Sequence, residues 1–478
     1  MTEHVICWVH DRLSFFIQRE GASSFMSIDV VILAAGQGSR MRSQKPKVLH
    51  ELAGKPMVRH VIESAMKAFS SPRLHVVVGH GAEQVQDALS DLPISFAHQH
   101  EQRGTGHAVA QTLEALGDGP VVVLYGDVPM IQAQTLSALV ERVDEQHMAL
   151  LTVTMANPHG YGRIVRNDQG QAVAIVEQKD ATSEQLEIGE CNTGILAATG
   201  DQLRRWLPAL SSDNAQGEYY LTDIIAMAAG EGVEVATAEP AQVSEVQGVN
   251  DRVQLSALER IHQSREAERL MREGASLADP KRLDVRGELS VGQDVFIDVG
   301  CIFEGQVHLG DGVHVGPYSI IRDARIGDAT RIEAHSMIEG SETAGDNAIG
   351  PFARLRPGTR LERKARIGNF VETKKAHVGE GSKINHLSYI GDATLGQGVN
   401  IGAGTITCNY DGVNKHRTEI GRDVFIGSNS ALVAPVTIGD GATVAAGSTV
   451  TDTVEDQALA IARARQINKQ GWTPPHRR

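Results

Sequence analysis

Three groups of residues in this 478-residue chain are of types that do chemistry together. The first is a glycine loop, Gly36-Gln37-Gly38-Ser39-Arg40, that leaves the apolar run Ile28 to Leu33 and is followed by Lys47 in Lys45-Pro46-Lys47. Amides freed by glycine, with two cations nearby, suit the oxygens of a phosphate chain. The second is a lone carboxylate, Asp127, in Tyr125-Gly126-Asp127 after the apolar run Val121 to Leu124. An acid with so few companions suits Mg²⁺, which keeps waters and phosphates among its ligands. Asp127 alone reads equally as a turn cap and Lys47 as a solvated lysine; their joint order points to nucleotidyl transfer. The third is His386 in Asn385-His386-Leu387-Ser388-Tyr389, whose imidazole titrates in the range a general base needs.

Two other chemistries are excluded by the residues around the loop. Met41 stands where the third glycine of G-x-G-x-x-G belongs, so dinucleotide-dependent hydride transfer does not fit. No G-x-x-x-x-G-K-[ST] occurs either, which removes P-loop phosphate chemistry.

These residues need a frame, and the apolar pattern supplies two. In the first half, strands at Ile28 to Leu33, Leu74 to Val78 and Val121 to Leu124 alternate with helical stretches. One helix carries Val58, Val61, Ile62, Ala65 and Met66 on a stripe; others cover Glu83 to Leu89 and His107 to Leu116. Repeated βα units predict an α/β, Rossmann-like, doubly wound parallel sheet with the glycine loop and Asp127 at strand ends facing one site. In the second half an aliphatic residue recurs every sixth position: Val291, Ile297, Phe303, Leu309, Val315 and Ile321, and, after slips of register, Ile384, Ile390, Ile420, Ile426, Leu432, Ile438, Val444 and Val450. Small or β-branched residues such as Val295, Cys301, Ser319, Thr359 and Ser382 follow four positions later. That period predicts a parallel β-helix of hexapeptide repeats with a narrow aliphatic core. Between the two halves, Val253 to Glu273 predicts a solvated arm helix carrying Leu255, Leu258, Ile261 and Leu270.

Two irregularities in the repeat suggest binding. The hexads break between Ile406 and Ile420, extruding Thr407 to Arg417 where insertions form binding faces. Between Arg354 and Lys375 eight basic residues, Arg356 and Lys374 among them, face two acidic ones, Glu362 and Glu372. In a chain of net charge −14 this is a local cationic patch of the kind an anionic ligand requires, although part of it reads as a solvated face. The overall sign argues against nucleic-acid binding. Four scattered cysteines without a C-x-x-C fit a reducing cytoplasm, and no apolar run spans a bilayer. Residues 1–25 read as an extension, loose and without a signal-peptide core.

The loop Leu33-Ala34-Ala35-Gly36-Gln37-Gly38-Ser39-Arg40-Met41 is similar to that of the sugar-phosphate nucleotidyltransferases. Gln99, Gly104-Thr105-Gly106-His107, Tyr161-Gly162-Arg163, Glu177, Asn192-Thr193-Gly194 and Gly248-Val249-Asn250 continue the likeness. With the hexads, the chain from Met26 onward resembles the bacterial bifunctional glucosamine-1-phosphate N-acetyltransferase / N-acetylglucosamine-1-phosphate uridylyltransferase family. The departures are the N-terminal extension and the loop variants Gln37 and Ser39.

The resemblance implies a nucleotide site of Leu33, Ala34, Ala35, Gly36, Tyr125 and Gly126, with Arg40 and Lys47 on the phosphates and Gln99, Gly104 and Thr105 reading uracil. It implies Mg²⁺ on Asp127 and Asn250, and the acetylated sugar on Gly162, Glu177, Asn192 and Asn250. In the second half it implies His386 as base, Arg356, Lys374, Tyr389, Asn400 and Lys415 around the sugar phosphate, and Ala403, Asn409, Tyr410, Ser428, Ala446 and Arg463 along acetyl-CoA. It further implies a left-handed β-helix and a homotrimer with acyl-carrier sites between subunits. The expected division is a uridylyltransferase domain over 26–251, a linker over 252–273, an acetyltransferase β-helix over 274–455 and a tail over 456–478. Its product, UDP-N-acetylglucosamine, would feed cell-wall and outer-envelope synthesis. Two rivals remain open: a single-function nucleotidyltransferase with a structural β-helix, and a metal-dependent β-helix hydratase that would need His308 and His314 to converge.

Overall fold

The structure, a computed structural model, describes residues 27–477, so the expected extension over 1–25, with Cys7, lies outside the described residues. The first half is built from β1 (Asp29–Ala34), β2 (Glu51–Leu52), β3 (Lys55–Pro56), α1 (Met57–Ala68), β4 (Arg73–Val78), α2 (Ala82–Ala88), β5 (Ile94–His98), α3 (Thr105–Ala110) and β6 (Pro120–Tyr125). It continues with α4 (Ala133–Val140), β7 (His147–Thr154), β8 (Arg163–Arg166), β9 (Ala172–Val176), α5 (Ser183–Leu186), β10 (Glu190–Thr199), α6 (Gly200–Trp206), α7 (Ile224–Gly230) and β11 (Glu234–Ala238). The main sheet runs β11-β7-β10-β6-β1-β4-β5. Val30, Val31 and Ile32 of β1 and Val121 to Leu124 of β6 are wholly buried, as strands covered on both faces must be.

The sheet is mixed rather than all parallel. β1, β4, β5 and β6 are parallel, but β10 runs antiparallel to both β6 and β7, and β8 and β9 form an antiparallel extension. β10 thus enters the sheet between β6 and β7 and runs against both of them.

Two helices also differ from expectation. Met66 is 41% exposed, because eight residues beyond Val58 the helix has rotated it past the edge of the buried stripe. The stretch expected to be helical to Leu116 is helical only to Ala110, after which Gln111, Thr112 and Ala115 bond back three residues and the Thr112 hydroxyl donates to the Val109 carbonyl.

The arm is α8 (Arg252–Arg272), capped by the Asp251 carboxylate on the amides of Val253 and Gln254. It is docked rather than solvated. Leu258 packs with Met41, Leu52, Met57, Met130 and Val249 of the first half, while Ala267 and Leu270 join the β-helix core. Gln263 is buried between them and exchanges two hydrogen bonds with the Val285 backbone, at 2.8 and 2.7 Å.

From Ser276 to Ala460 the chain is a parallel β-helix. Strand pairs on successive coils place like residues over like, as in Ile297 on Val315, Ile384 on Ile401 and Ile426 on Val444. The sixth-position aliphatics are buried, with Val291 of the first coil only half-buried, and Val295, Cys301, Ser319, Thr359 and Ser382 fill the second inward column. The last strand, Leu459–Ala460, extends the solenoid past residue 455. Because Ile426 is wholly buried in this one-dimensional stack, Ile426→Ala should cost about 2–5 kcal/mol, read as a lowered denaturation midpoint.

Corner residues take left-handed backbone. Tyr318, His335, Phe352 and Phe370 have φ between 55° and 58°, and their rings stack at centroid spacings of 5.4, 4.9 and 5.4 Å. The ladder is apolar and open: Tyr318, Phe352, Phe370 and the next corner residue, Leu387, are all exposed.

Candidate active sites

Parallel strands deliver their loops to one edge, and there a cavity of about 250 Å³ is lined by Leu33, Ala34, Ala35, Gly36, Lys47, Gln99, Gly104, Thr105, Tyr125 and Asp127. Gly126 ties the floor together by donating its amide to the Leu33 carbonyl at 3.0 Å. At one end, Lys47 Nζ donates to Asp127 Oδ2 and lies 3.4 Å from Asn250 Oδ1, which also accepts from Arg40 Nη2 at 2.8 Å. Four residues from four segments thus meet at a point. The two oxygens converge on a cation, the lysine ammonium, and their hardness and small number suit Mg²⁺ that keeps its remaining positions for water and phosphate. The donor set therefore fits the ion.

Next to this lies a second set. Asn192 donates its backbone amide to the Gly162 carbonyl at 2.9 Å, and Gly162 abuts the Glu177 carboxylate. Glu177 accepts from the Thr222 hydroxyl at 3.2 Å, and burial pushes its carboxyl above the usual range. Tyr125 lies between the two sets: burial and the facing Glu177 and Asp127 push its phenol upward, and its ring fills the space beside Gly194, where a side chain would collide. Gln102, Glu218 and Thr222 are functional neighbours that the sequence pattern did not single out. Gln102, whose amide donates to the Ala35 carbonyl at 2.8 Å, lies three residues past Gln99 and was open to the same reasoning. Thr222 had no local signal.

The β-helix site follows from a column of charges. Register stacks Arg286, Glu304, Arg322, Glu339, Arg356 and Lys374 on successive coils. Each charge in the lower part meets its opposite, as with Arg286 and Glu304 at 3.0 Å or Arg322 and Glu339 at 3.4 Å. Alternation fails at the top, where Lys374 follows Arg356. Lys415, from the extruded loop, meets them there, and its charge, then that of Arg356, lowers the Lys374 ammonium from its usual range. Arg356 keeps a partner in Glu372 at 2.8 Å, above which Tyr389 sits in register. The cationic patch is narrower than expected: Arg360 pairs with Glu342 at 3.5 Å and Arg363 with Asp346, because acids on the preceding coil face them.

His386 lies on an adjacent column, exposed, with Nδ1 3.0 Å from Asn369 Oδ1 on the coil before. An amide oxygen only accepts, so Nδ1 carries the proton and Nε2 is left as the basic nitrogen. Ala403, Ser428 and Ala446 occupy the same corner on the next coils, linked by amides of Asn429 to Ala403 O and Gly447 to Ser428 O, and Arg463 donates to Ala446 O at 2.7 Å. At about 4.8 Å per coil this small-residue edge extends roughly 15 Å from His386. Asn400 stacks between Lys383 and Phe425. Asn409 is turned inward, its amide on Asp392 Oδ2 at 2.5 Å. Tyr410 pairs with Lys415 across the extruded loop, which Asp411 organises: amides of Asn414 and Val413 and the His416 ring hold its carboxyl at about 2. His308 and His314 do not converge, for one bonds Ser290 at 2.9 Å and the other stacks on Phe296, on separate sheets.

Comparison with known proteins agrees with both halves. Residues 30–276 match the model of the MobA-like NTP transferase domain, and residues 417–452 match the bacterial transferase hexapeptide model of six repeats. The chain is 60% identical over 449 residues to the "Bifunctional protein GlmU" of Marinobacter nauticus, covering 94% of this chain and 99% of that one. It is 66% identical over 452 residues to the protein of the same name from Chromohalobacter salexigens, covering 95% and 100%. Among solved structures, a nucleotidyl transferase from Methanothermobacter thermautotroptrophicus aligns at 21% identity with a TM-score of 0.36, over 49% of this chain and 96% of that one.

Proposed function

The chain belongs to the family of bifunctional GlmU proteins, and from that premise we propose how its residues divide two consecutive transfers between them. It is a bifunctional enzyme of UDP-N-acetylglucosamine synthesis: an N-acetyltransferase acting on glucosamine 1-phosphate and a uridylyltransferase acting on the acetylated product. The proposed division of the chain is 26–251 for the uridylyltransferase, 252–273 for the linker, 274–455 for the acetyltransferase and 456–478 for the tail.

In the β-helix, Arg356, Lys374 and Lys415 hold the sugar phosphate, with Tyr389 and Asn400 along the ring. His386 Nε2 takes a proton from the 2-ammonium group. The freed amine attacks the thioester carbonyl of acetyl-CoA, the C–S bond breaks and coenzyme A leaves as the thiol. The cofactor arm lies along Ala403, Ser428 and Ala446, with Arg463 at the far end. Asn409 and Tyr410 belong to the acetyl-CoA side through the loop they anchor.

In the first half, Gln99, Gly104 and Thr105 take the uracil of UTP, and Arg40 and Lys47 the phosphates. Gly162, Glu177 and Asn192 hold the acetylated sugar so that its phosphate oxygen attacks the α-phosphorus in line, forming one P–O bond as another breaks and pyrophosphate departs. Mg²⁺ on Asp127 and Asn250 supplies charge neutralisation at the phosphates. The observation that carries this reading is the meeting of Arg40, Lys47, Asp127 and Asn250 from four separate segments.

The working form is a homotrimer. An exposed ladder of rings beside the His386 column gives copies an apolar surface to bury, and the open face of His386 is completed by a neighbour. Cys191, Cys301 and Cys408 are free thiols, which suits the cytoplasm. Among the described residues no helix is long and apolar enough to cross a membrane.

The test is to mix purified protein with acetyl-CoA and glucosamine 1-phosphate, without UTP, and follow free thiol. Release that requires both substrates is expected. No release from folded protein that still transfers uridylyl groups would leave the β-helix a scaffold.

A further inference from the structure

Gln99 is buried, yet its side chain lines the nucleotide cavity, so which end of its amide faces the base decides what that base must offer. Two neighbours settle the orientation. The Gln99 Nε2 position is 3.0 Å from the Gly104 carbonyl oxygen, which can only accept, so that end must be the NH₂. The same group is 3.1 Å from His107 Nδ1. Facing a donor already fixed by a carbonyl, Nδ1 must be the unprotonated nitrogen, which puts the ring's proton on Nε2. There the ring faces the Gln111 Nε2 position at 3.2 Å, a group that also donates to the His107 carbonyl at 3.0 Å, so the exposed Gln111 side chain must turn to accept from the ring N–H. Gln99 Oε1 has no hydrogen-bond partner among the described residues and is not fully buried, and its side chain borders both the nucleotide cavity and a neighbouring polar one.

We propose that His107, which does not line the cavity, sets pyrimidine choice by locking Gln99 with its oxygen toward the base. A fixed acceptor favours a ring that carries a hydrogen on N3, as uracil does. Cytosine presents a lone pair there and would need the NH₂ end, which Gly104 and His107 hold away. A site whose polar groups are committed in this way rejects the wrong analogue by leaving its own group unpaired. Without the Nδ1 acceptor the amide keeps only the Gly104 contact and can turn. His107 is therefore a positioning residue for specificity. The inference rests on the reading that Gln99 faces the base.

The test uses the whole enzyme and measures kcat/KM for UTP and for CTP at fixed N-acetylglucosamine 1-phosphate, with acetyl transfer in the same sample as the check of an intact fold. His107→Phe keeps a ring beside Tyr219, whose centroid lies 6.4 Å away, and removes the acceptor. It should lower the UTP-to-CTP ratio by about tenfold through KM for the nucleotide, with KM for the sugar phosphate unchanged. His107→Asn, which returns an acceptor near the Nδ1 position, should restore most of the ratio. If His107→Phe fails to fold, His107→Leu replaces it. A ratio that stays within about twofold in the acceptor-less variant, or one that His107→Asn does not restore, overturns the proposal. Gln99→Ala separates the two levels. If it leaves the ratio intact, the reading of the cavity is wrong; if it collapses the ratio while His107→Phe does not, only the role of His107 is wrong.

Discussion

Asp127→Ala is expected to reduce uridylyl transfer by roughly 10³-fold while acetyl transfer in the same protein is unchanged. The carboxylate is one of two protein oxygens that converge beside the phosphate-facing cations, and the other, Asn250 Oδ1, is uncharged. Removing it takes away the only negative charge in that set. Lys47 loses its partner at the same time, so its ammonium is freed to pair with substrate phosphate, and nucleotide KM should change far less than kcat. Asp127→Asn, which keeps an oxygen but not the charge, should fall between the variant and the parent. Pyrophosphate release at increasing Mg²⁺ reads both quantities: the alanine variant should show weaker metal dependence as well as lower rate. Uridylyl transfer within about tenfold of the parent would falsify the assignment of Asp127 to the metal.

How much of the molecule is legible in its sequence depends on whether the signal is local. The hexads are readable residue by residue, because each sixth position must be buried whatever its neighbours do, and Ile297, Ile384 and Ile426 are. The glycine loop and Asp127 are readable because each comes directly after a buried strand. The direction of β10 is not, since its pattern alone does not say which way it runs beside β6. Met66 misleads because a helix of 3.6 residues per turn drifts off an i, i+4 stripe within two turns. The docking of α8 is hidden for a related reason: its buried residues, Leu258, Gln263, Ala267 and Leu270, serve two different surfaces in turn, so no single stripe runs its length. Thr222 and Asn369 lie far in sequence from the residues they hold, Glu177 and His386. The charge run between Arg354 and Lys375 overstates the patch, since neutralisation comes from the coil before and depends on register.

Register is also what makes His386 the residue with the most at stake in the second half. Its ring sits at a corner where the preceding coil supplies Asn369 to hold Nδ1 and the following coils supply Ala403, Ser428 and Ala446, so among the described residues no side chain competes for Nε2. On the proposed reading the cationic point formed by Arg356, Lys374 and Lys415 fixes the phosphate end of the substrate, and the amine is delivered to the ring. His386→Ala should therefore lower the rate of acetyl transfer about 10²–10⁴-fold, the usual contribution of a positioned general base. KM for glucosamine 1-phosphate should hardly move, because the phosphate contacts are intact, and uridylyl transfer should be unaffected, because its site lies in the other half. Thiol release from acetyl-CoA measures the first effect and pyrophosphate release from UTP and N-acetylglucosamine 1-phosphate the second. A variant that retains more than about a tenth of the parent's acetyl-transfer rate would show that the base lies elsewhere or that the amine arrives already unprotonated. Loss of both activities together would instead mark a folding defect, since Ser388 beside it is buried under the same corner and its hydroxyl holds the His386 carbonyl at 2.8 Å.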